Sequence, residues 1–486
     1  MTGAGVSDMS AKSLLGGAPR VVNIGLRGFA DELSARDVEV VHVNWRPPSR
    51  GRRALDEIVV RLGAHAAAIA RANDEGLRRM LAAEPVLVDV QPAGAVMPEL
   101  GERVVLHAGP PISWQRMCGP MRGAVAGAIV FEGWASDLEA AAQLAAAGGV
   151  TFHPNHRFDA VGPMTGVTTR SMPVLVVENR GAEINAGNRA YCMINEWLGK
   201  VMRFGANDAE VLGRLAWLRD VFGPLLGAAL RAAGGLELVP LVARGLAMGD
   251  ELHQRNVACS ALTLRALAPH LARAAGDAET LSQSLAFIAG NEQFFLNIGM
   301  VMGKSIMDPV RGIEACSMVA AMSRNGTDFG VRVSATGDEW FTAPVEMPQG
   351  LYFPGYGARD ANPDIGDSAI METIGLGAFA MASAPAVVGF VGAGRASDAA
   401  GFTRAMGEIT LARNSKWTMP ALDFQGVPAG IDVRRVVETW IQPAINTGIA
   451  HRKPGIGQVG AGVARAPLAC FDAALRAFAR TLGVDA

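Results

Sequence analysis

Lysine is scarce in this chain. Only Lys12, Lys200, Lys304, Lys416 and Lys453 stand among 44 basic residues, so cationic chemistry rests on arginine. The planar arginine fork suits bidentate binding of carboxylate or phosphate. A genomic bias in composition produces the same excess, so the count alone assigns nothing. Charge is sparse too, at 19% of residues against a usual share of about 25%. The 44 basic and 46 acidic residues leave a net charge of -2, which excludes a global field for gripping nucleic acid or an anionic membrane. Cysteine is rare and scattered at Cys118, Cys192, Cys259, Cys316 and Cys470, with no C-x-x-C pair. That pattern argues against a disulfide framework and a structural zinc site, and fits a reducing cytoplasm. Residues 1–18 lack an apolar core segment, so they read as a flexible tail rather than a signal peptide. Internal repeats and low-complexity linkers are missing as well. The longest charge-free stretch, 373–394, is long enough to span a bilayer. Gly375, Gly377, Gly389, Gly392, Gly394 and Pro385 interrupt it, so it reads as a buried helix, a turn at Pro385 and a core strand over 387–391.

What is present is apolar and rich in glycine. Half of the 486 residues are hydrophobic, which excludes global disorder and suggests about three domains. The 58 glycines, about 12% against a usual ~7%, point to tight turns and close backbone approaches. Strand patterns at 21–25 and 38–45 flank a short helix at 29–35. A long helical stretch over 54–83 precedes buried strands at 86–90 and 104–107. Further on, 135–147 reads as a helix, 174–177 as a strand and 188–204 as a helix. Strand signals vanish from 208 to 322, where 212–233, 236–248, 259–275 and 278–289 have helical spacing. They return at 329–333 and 340–342, and the chain ends in an amphipathic helix over 468–482. The expected architecture is α/β and multidomain, with mixed α/β domains and an inserted all-helical domain. The boundaries are a tail at 1–18, an N-terminal α/β domain at 19–207, a helical domain at 208–322 and a C-terminal α/β domain at 323–486.

Several motifs could carry chemistry. Residues 455–460 (GIGQVG) match G-x-G-x-x-G formally, but a basic, proline-containing segment precedes them and only 26 residues follow. A dinucleotide fold needs a strand before and a helix after. An anion-cradling turn or a purely structural turn therefore fits better. Residues 299–305 (GMVMGKS) have one residue too few for a phosphate-binding loop and lie inside a helical run. His153 and His156 flank Pro154, which spoils a helical ligand face, so proton transfer by His156 is favoured over metal binding. No metal and no cofactor are expected. Thr168-Thr169-Arg170-Ser171 resembles the hydroxyl–hydroxyl–Arg cluster at a helix start by which transcarbamoylases hold carbamoyl phosphate, but an apolar strand follows it, so the likeness reads as coincidence. Polar clusters at 249–256 (GDELHQRN), 324–328 (RNGTD) and 362–368 (NPDIGDS) break an otherwise apolar chain. Each fits either a solvated loop or the lining of a cleft. The last also offers helix-capping chemistry in Gly366, Asp367 and Ser368.

Taken together, ordered segments over about residues 85–485 resemble one family. They include HAGPP at 107–111 with Trp114, GPMRGA at 119–124, FEGWA at 131–135, AVGPM at 160–164, VVEN at 176–179, GNRAY at 187–191 and GKVMRFG at 199–205. They continue with the clusters at 249–256 and 362–368, TAP at 342–344, NTGIAH at 446–451, GIGQVGAG at 455–462 and RAPLACF at 465–471. The set resembles the YlbE/AllG-like family, one subunit of oxamate carbamoyltransferase. Residues 22–26, Phe29-Ala30-Asp31 and 43–48 (VNWRPP) are similar to a short segment of FdrA/AllF-like subunits. The resemblance implies a hetero-oligomer with FdrA-like and YlbF-like subunits. It implies phosphorolysis of oxalurate (carbamoyl oxamate) to oxamate and carbamoyl phosphate in allantoin or purine catabolism. Such a reaction needs an anion cradle, an oxyanion donor and a proton source. Arg324 or Arg189 is the candidate for the carboxylate or phosphate, and His156 or His253 for the proton. Backbone at Gly366, Gly455, Gly457 and Gly460 is the candidate cradle, with Arg255, Asn256, Asn325, Asn362, Asp364, Asp367 and Ser368 as further binding residues. Other classes stay open. These are a non-catalytic interaction subunit, a paralogue acting on another carbamoylated or acylated acid, and a nicotinamide oxidoreductase resting on GIGQVG alone.

Overall fold

A computed structural model describes residues 19–24, 27–43, 52–181, 188–197 and 199–485. The expected tail at 1–18, Trp45, Pro48 and Gly187 lie outside the described residues. The chain divides into two compact units between Arg53 and Ala54. In the first unit the parallel strands Arg20–Ile24 and Glu39–Val43 are joined by the helix Arg27–Ser34. Val22 faces Val41 and Ile24 faces Val43, on the side of the sheet that stays exposed.

The second unit mixes helices with small sheets. One sheet orders Leu236–Glu237, Pro85–Pro92, Pro173–Asn179, Arg189–Met193 and Ala160–Val161. A second sets Val104–His107 between Thr151–Pro154, parallel, and Val167–Thr168, antiparallel. A third is an antiparallel run of Phe341–Pro344, Asp328–Val333, Val319–Asn325 and Ile365–Gly366. The strands Gln349–Tyr352, Gln458–Arg465 and Ala444–Ala450 form a fourth. The hairpin Thr410–Met419 with Gln425–Ile431 completes the set.

The helices start and stop where local chemistry directs. Asp137, Asp208 and Asp277 cap the helices Leu138–Ala146, Ala209–Trp217 and Ala278–Ala289, each carboxylate accepting a backbone N–H of the first turn. The helix Phe294–Met307 is apolar on nearly every face and almost wholly buried. Such a helix belongs in a core. It shares one apolar cluster with Leu87, Val90, Leu175 and Val177 of the first large sheet and with Leu226, Leu241 and Leu271 of neighbouring helices. The expected helical stretch therefore packs into a common core with strands from both sides of it in sequence. Among the described residues no single helix is long and apolar enough to cross a membrane.

Three local expectations are corrected. Residues 188–204 do not form a helix. Arg189–Met193 is a strand paired with Pro173–Asn179, and Met202–Phe204 is a single 3₁₀ turn. Its run of Ala190 to Met193 is buried on both faces, a pattern that an apolar helix shares in so short a window. The predicted strand at 387–391 is the helix Pro385–Phe390, opened by a proline whose fixed φ suits a first turn. The predicted helix at 212–233 is two helices, joined by a π-turn at Leu218–Phe222 just before Pro224.

Gly109 is the close approach that seats the second sheet on the third. Its φ is +92°, and a Cβ there would lie 2.5 Å from the backbone N of Asn325 and 2.6 Å from the carbonyl carbon of Arg324. Gly109→Ala is expected to cost about 2–4 kcal/mol from strain and clash combined, read as a lower denaturation midpoint. A variant as stable as the parent contradicts this packing. His107, fully buried two residues earlier, is pushed down to about 4 by desolvation. The unfolded imidazole titrates near 6.5, so the unfolded state binds more protons between the two values. Its contribution is complete above about 6.5 and falls by up to about 3 kcal/mol as pH drops to 4. His107→Asn should lack this slope, so the parent loses stability relative to the variant on acidification. Parallel pH profiles would refute the assignment.

Candidate functional site

The strand Val319–Asn325 ends at the place where the third sheet meets the loop that carries Asp364, Asp367 and Ser368. Arg324 is fully buried there. Its Nε and Nη2 donate to Asp364 Oδ2 and Oδ1 at 2.7 and 3.1 Å, and Nη1 donates to the Gly366 carbonyl at 2.7 Å. Nη2 also reaches Ser368 Oγ and Thr447 Oγ1, both at 3.3 Å. Thr447 Oγ1 in turn donates to Asp364 Oδ1 at 2.8 Å. The guanidinium is thus engaged by its own protein, and acts as a clasp rather than an open anion grip.

Asp367 is the hub beside that clasp. Its carboxylate accepts from Gly109 N at 2.8 Å, Gly162 N at 2.8 Å, Asn155 Nδ2 at 3.0 Å and the hydroxyl of Ser323. Burial pushes its pKa up, while these donors pull it down. His156 Nε2 lies 3.8 Å from Asp367 Oδ1. That imidazole is buried on the 3₁₀ turn Asn155–Phe158 and meets the Trp340 ring edge-on at a centroid distance of 5.4 Å. Desolvation first, and then the charges of Lys304, Arg332 and Arg311, hold His156 well below the usual histidine value. It is a neutral base near pH 7.

Around His156 the protein gathers cationic side chains and leaves one guanidinium nitrogen without a partner. Lys304, near the end of the helix Phe294–Met307, is 2% exposed and pairs with Asp308 one turn on, with Asp159 3.8 Å away. Arg332, 5% exposed, stacks over Trp340 at 4.4 Å. His156 Nε2, Arg332 Nε and Trp340 Nε1 are all buried and have no hydrogen-bond partner. Buried donors left empty are costly. Arg332 Nε and Trp340 Nε1 are donors without a partner, His156 Nε2 donates or accepts according to its tautomer, and the charges of Lys304 and Arg311 lie beside them, which suits a small anion.

The other sequence-nominated residues are placed as follows. His253 Nδ1 meets both oxygens of Glu372, at 2.8 and 2.9 Å, in a second buried network with Glu251 and Asn446. Asn256 Nδ2 donates to Gln293 Oε1 at 2.8 Å in the same region, and Arg255 is partly exposed, 3.8 Å from Asp250. Arg189 is a surface residue paired with Glu178 at 3.2 Å, away from this network. Asn325 closes the turn before Asp328, its Oδ1 accepting from Thr327 N and Asp328 N at 3.0 and 2.7 Å. Asn362 donates to its neighbour's carbonyl, Pro363 O, at 2.7 Å. Gly366 gives its carbonyl to Arg324 and packs on Met164. Gly455 and Gly457 lie in the turn between the strands Ala444–Ala450 and Gln458–Arg465, and Gly460 lies within the second strand. Gly455 N donates to Phe204 O at 2.7 Å, and Gly457 lies against Gly199, so both serve chain packing. Neither a nucleotide-binding strand–turn–helix nor an open cradle forms there. His153 pairs with Arg157 at 3.2 Å while its neighbour turns inward. Among the described residues no cluster of His, Cys, Asp or Glu is arranged to hold a metal ion. Of the nominated residues, His156, Arg324, Asp364, Gly366, Asp367 and Ser368 come together. Lys304, Arg332 and Trp340 were not nominated, although a lysine inside an apolar helical run was the available signal.

The profile of the family described as Oxamate carbamoyltransferase subunit AllG matches residues 150–368, which contain this site apart from Gly109 and Thr447. Oxamate carbamoyltransferase subunit AllG of Escherichia coli (strain K12) is 52% identical over 418 residues, 86% of this chain and 99% of that protein. The uncharacterized protein YahG of the same strain is 44% identical over 478 residues, 98% of this chain and all of that protein. A crystal structure of a conserved protein of unknown function from Enterococcus faecalis V583 superposes with a TM-score of 0.83 at 45% identity, covering 85% of this chain and 98% of that one. On this identity and coverage, the chain belongs to the family of the oxamate carbamoyltransferase subunit AllG.

Proposed function

We propose that this chain is the AllG-type subunit of an oxamate carbamoyltransferase-like complex and binds the reacting anions beside His156. The observation that carries this reading is the trio of buried, unpartnered nitrogens on His156, Arg332 and Trp340, under the charges of Lys304 and Arg311. The reaction is phosphorolysis of oxalurate. A phosphate oxygen attacks the ureido carbonyl, the bond from that carbon to the oxamate nitrogen breaks, and carbamoyl phosphate leaves with oxamate. The attacking phosphate loses a proton and the departing nitrogen gains one. His156, held neutral, is suited to take the first and return it to the nitrogen. Lys304 and Arg332 balance the charge that gathers on the phosphate and on the former carbonyl oxygen. Asp367 positions His156 and does not itself meet substrate. Partners of the FdrA-like and YlbF-like kinds complete the complex in this reading.

A second reading keeps the site and changes the acid. It rests on the match to YahG, which extends over 98% of this chain where the match to AllG covers 86%. In that reading a paralogous complex cleaves another carbamoylated acid, and a panel of such acids tested against oxalurate separates the two.

His156→Gln, Lys304→Met and Arg332→Met, each in the reconstituted complex, should lower kcat/KM for phosphorolysis by about 10²-fold or more. Unchanged rates in all three would remove the cluster from the reaction. Because the free protein keeps His156 neutral, the acid limb of kcat/KM governed by this group should lie below about 6.5. It should be absent in His156→Gln. An acid limb above that value, or one retained by the variant, contradicts the base role.

A further inference from the structure

One exposed carboxylate already occupies the cationic site. Asp338 Oδ1 lies 3.3 Å from Arg311 Nη1 and 3.3 Å from Arg332 Nη1, so one oxygen draws two guanidinium groups together. The three side chains differ sharply in burial. Asp338 is 72% exposed, Arg311 31% and Arg332 6%. Arg332 is fixed from below by the Trp340 ring, and its Nε still lacks a partner. Asp338 reaches in from the connection between the turn Ser334–Thr336 and the strand Phe341–Pro344. It follows Gly337, whose φ of +63° and ψ of -119° suit a residue without a side chain. Asp159 is 3.8 Å from Arg311 Nη2 and 3.8 Å from Lys304 Nζ. The cations therefore hold a well-solvated carboxylate, which is readily released to water, while the buried Arg332 keeps its need for an anion.

We infer that the carboxylate of the substrate takes the place of Asp338 between Arg311 and Arg332, so that Asp338 is a resident competitor for a carboxylate subsite. This rests on the proposed function and goes beyond it, because it assigns the carboxylate end of the substrate to these two arginines. The rest of the cluster, His156, Lys304 and Trp340, is then left for the reacting group and phosphate. The exchange is ionic and forms or breaks no covalent bond. An incoming carboxylate brings two oxygens where Asp338 uses one. It can thus keep both arginine contacts that Asp338 gives up.

The test is calorimetric titration of oxamate and, separately, of inorganic phosphate into the full chain and its Asp338→Asn and Asp338→Glu variants. Removal of an exposed competing ion pair should tighten oxamate about two- to five-fold in Asp338→Asn. Phosphate should gain less, because loss of a negative charge alone favours both anions. Asp338→Glu, which keeps the carboxylate, should bind oxamate within about two-fold of the parent. Equal gains for the two anions, or no gain for oxamate, overturn the exchange while leaving the site itself in place. Failure of parent and variants alike to bind oxamate overturns the site reading and the subsite with it.

Discussion

A single buried carboxylate organises the candidate site. Asp367 collects donors from Gly109, Asn155, Gly162 and Ser323, which belong to four separate segments of the chain. A carboxylate without such donors could not be buried at tolerable cost. Each donor is therefore held in place by the need to satisfy Asp367, and Asp367 by the donors. Gly109 can take part because it has no side chain to collide with the strand that carries Arg324 and Asn325. The Arg324–Asp364 pair closes the same junction from the other side, tying Gly366, Ser368 and Thr447 to one planar guanidinium. These two polar knots are structural, and they turn His156 toward the cationic cluster.

In the proposed reading the chemistry lies in what the knots leave unsatisfied. Lys304, Arg311 and Arg332 face Asp159, Asp308 and Asp338, so the cluster is close to electrically balanced before any ligand arrives. Burial pushes Asp308 up even though Lys304 pulls it down. The balance is uneven in space, because the buried cations Lys304 and Arg332 lie inside while Asp159 and Asp338 are solvated. An anion that enters gains from the inner cations and displaces weakly held outer carboxylates. His156 stays neutral while those cations are uncovered, which keeps a base available beside the anion.

Much of this was legible in sequence, for identifiable reasons. Asp367 and Ser368 stood out because polar residues beside glycine are rare in so apolar a chain, and His156 because Pro154 spoils a ligand pair with His153 while an imidazole ordinarily titrates near neutrality. Arg324 was singled out for the same reason, but its role depended on Asp364 and Thr447, one of them 123 residues away. Spacing carries no information on such a partner. Lys304 gains no signal from the surrounding GMVMGKS, which fails as a phosphate-binding loop. Its value came from being one charge on a helix otherwise sealed in the core. The glycines of GIGQVG misled in the opposite direction. Gly455 and Gly457 shape a tight connection against Phe204 and Gly199, so their backbone is spent on packing. The strand Arg189–Met193 looks like a helix in sequence because a short apolar run carries no period when both its faces are buried.

The central claim is that one small anion belongs between His156, Arg332 and Trp340. Crystals of the full chain soaked with inorganic phosphate place it most directly. The account predicts electron density within hydrogen-bond reach of Arg332 Nε and Trp340 Nε1, beside Lys304. Density lodged instead at the Gly455–Gly457 turn or in the cavity lined by Gln349, Gly392, Phe402 and Arg465, with the nitrogens of Arg332 and Trp340 still bare, would contradict it.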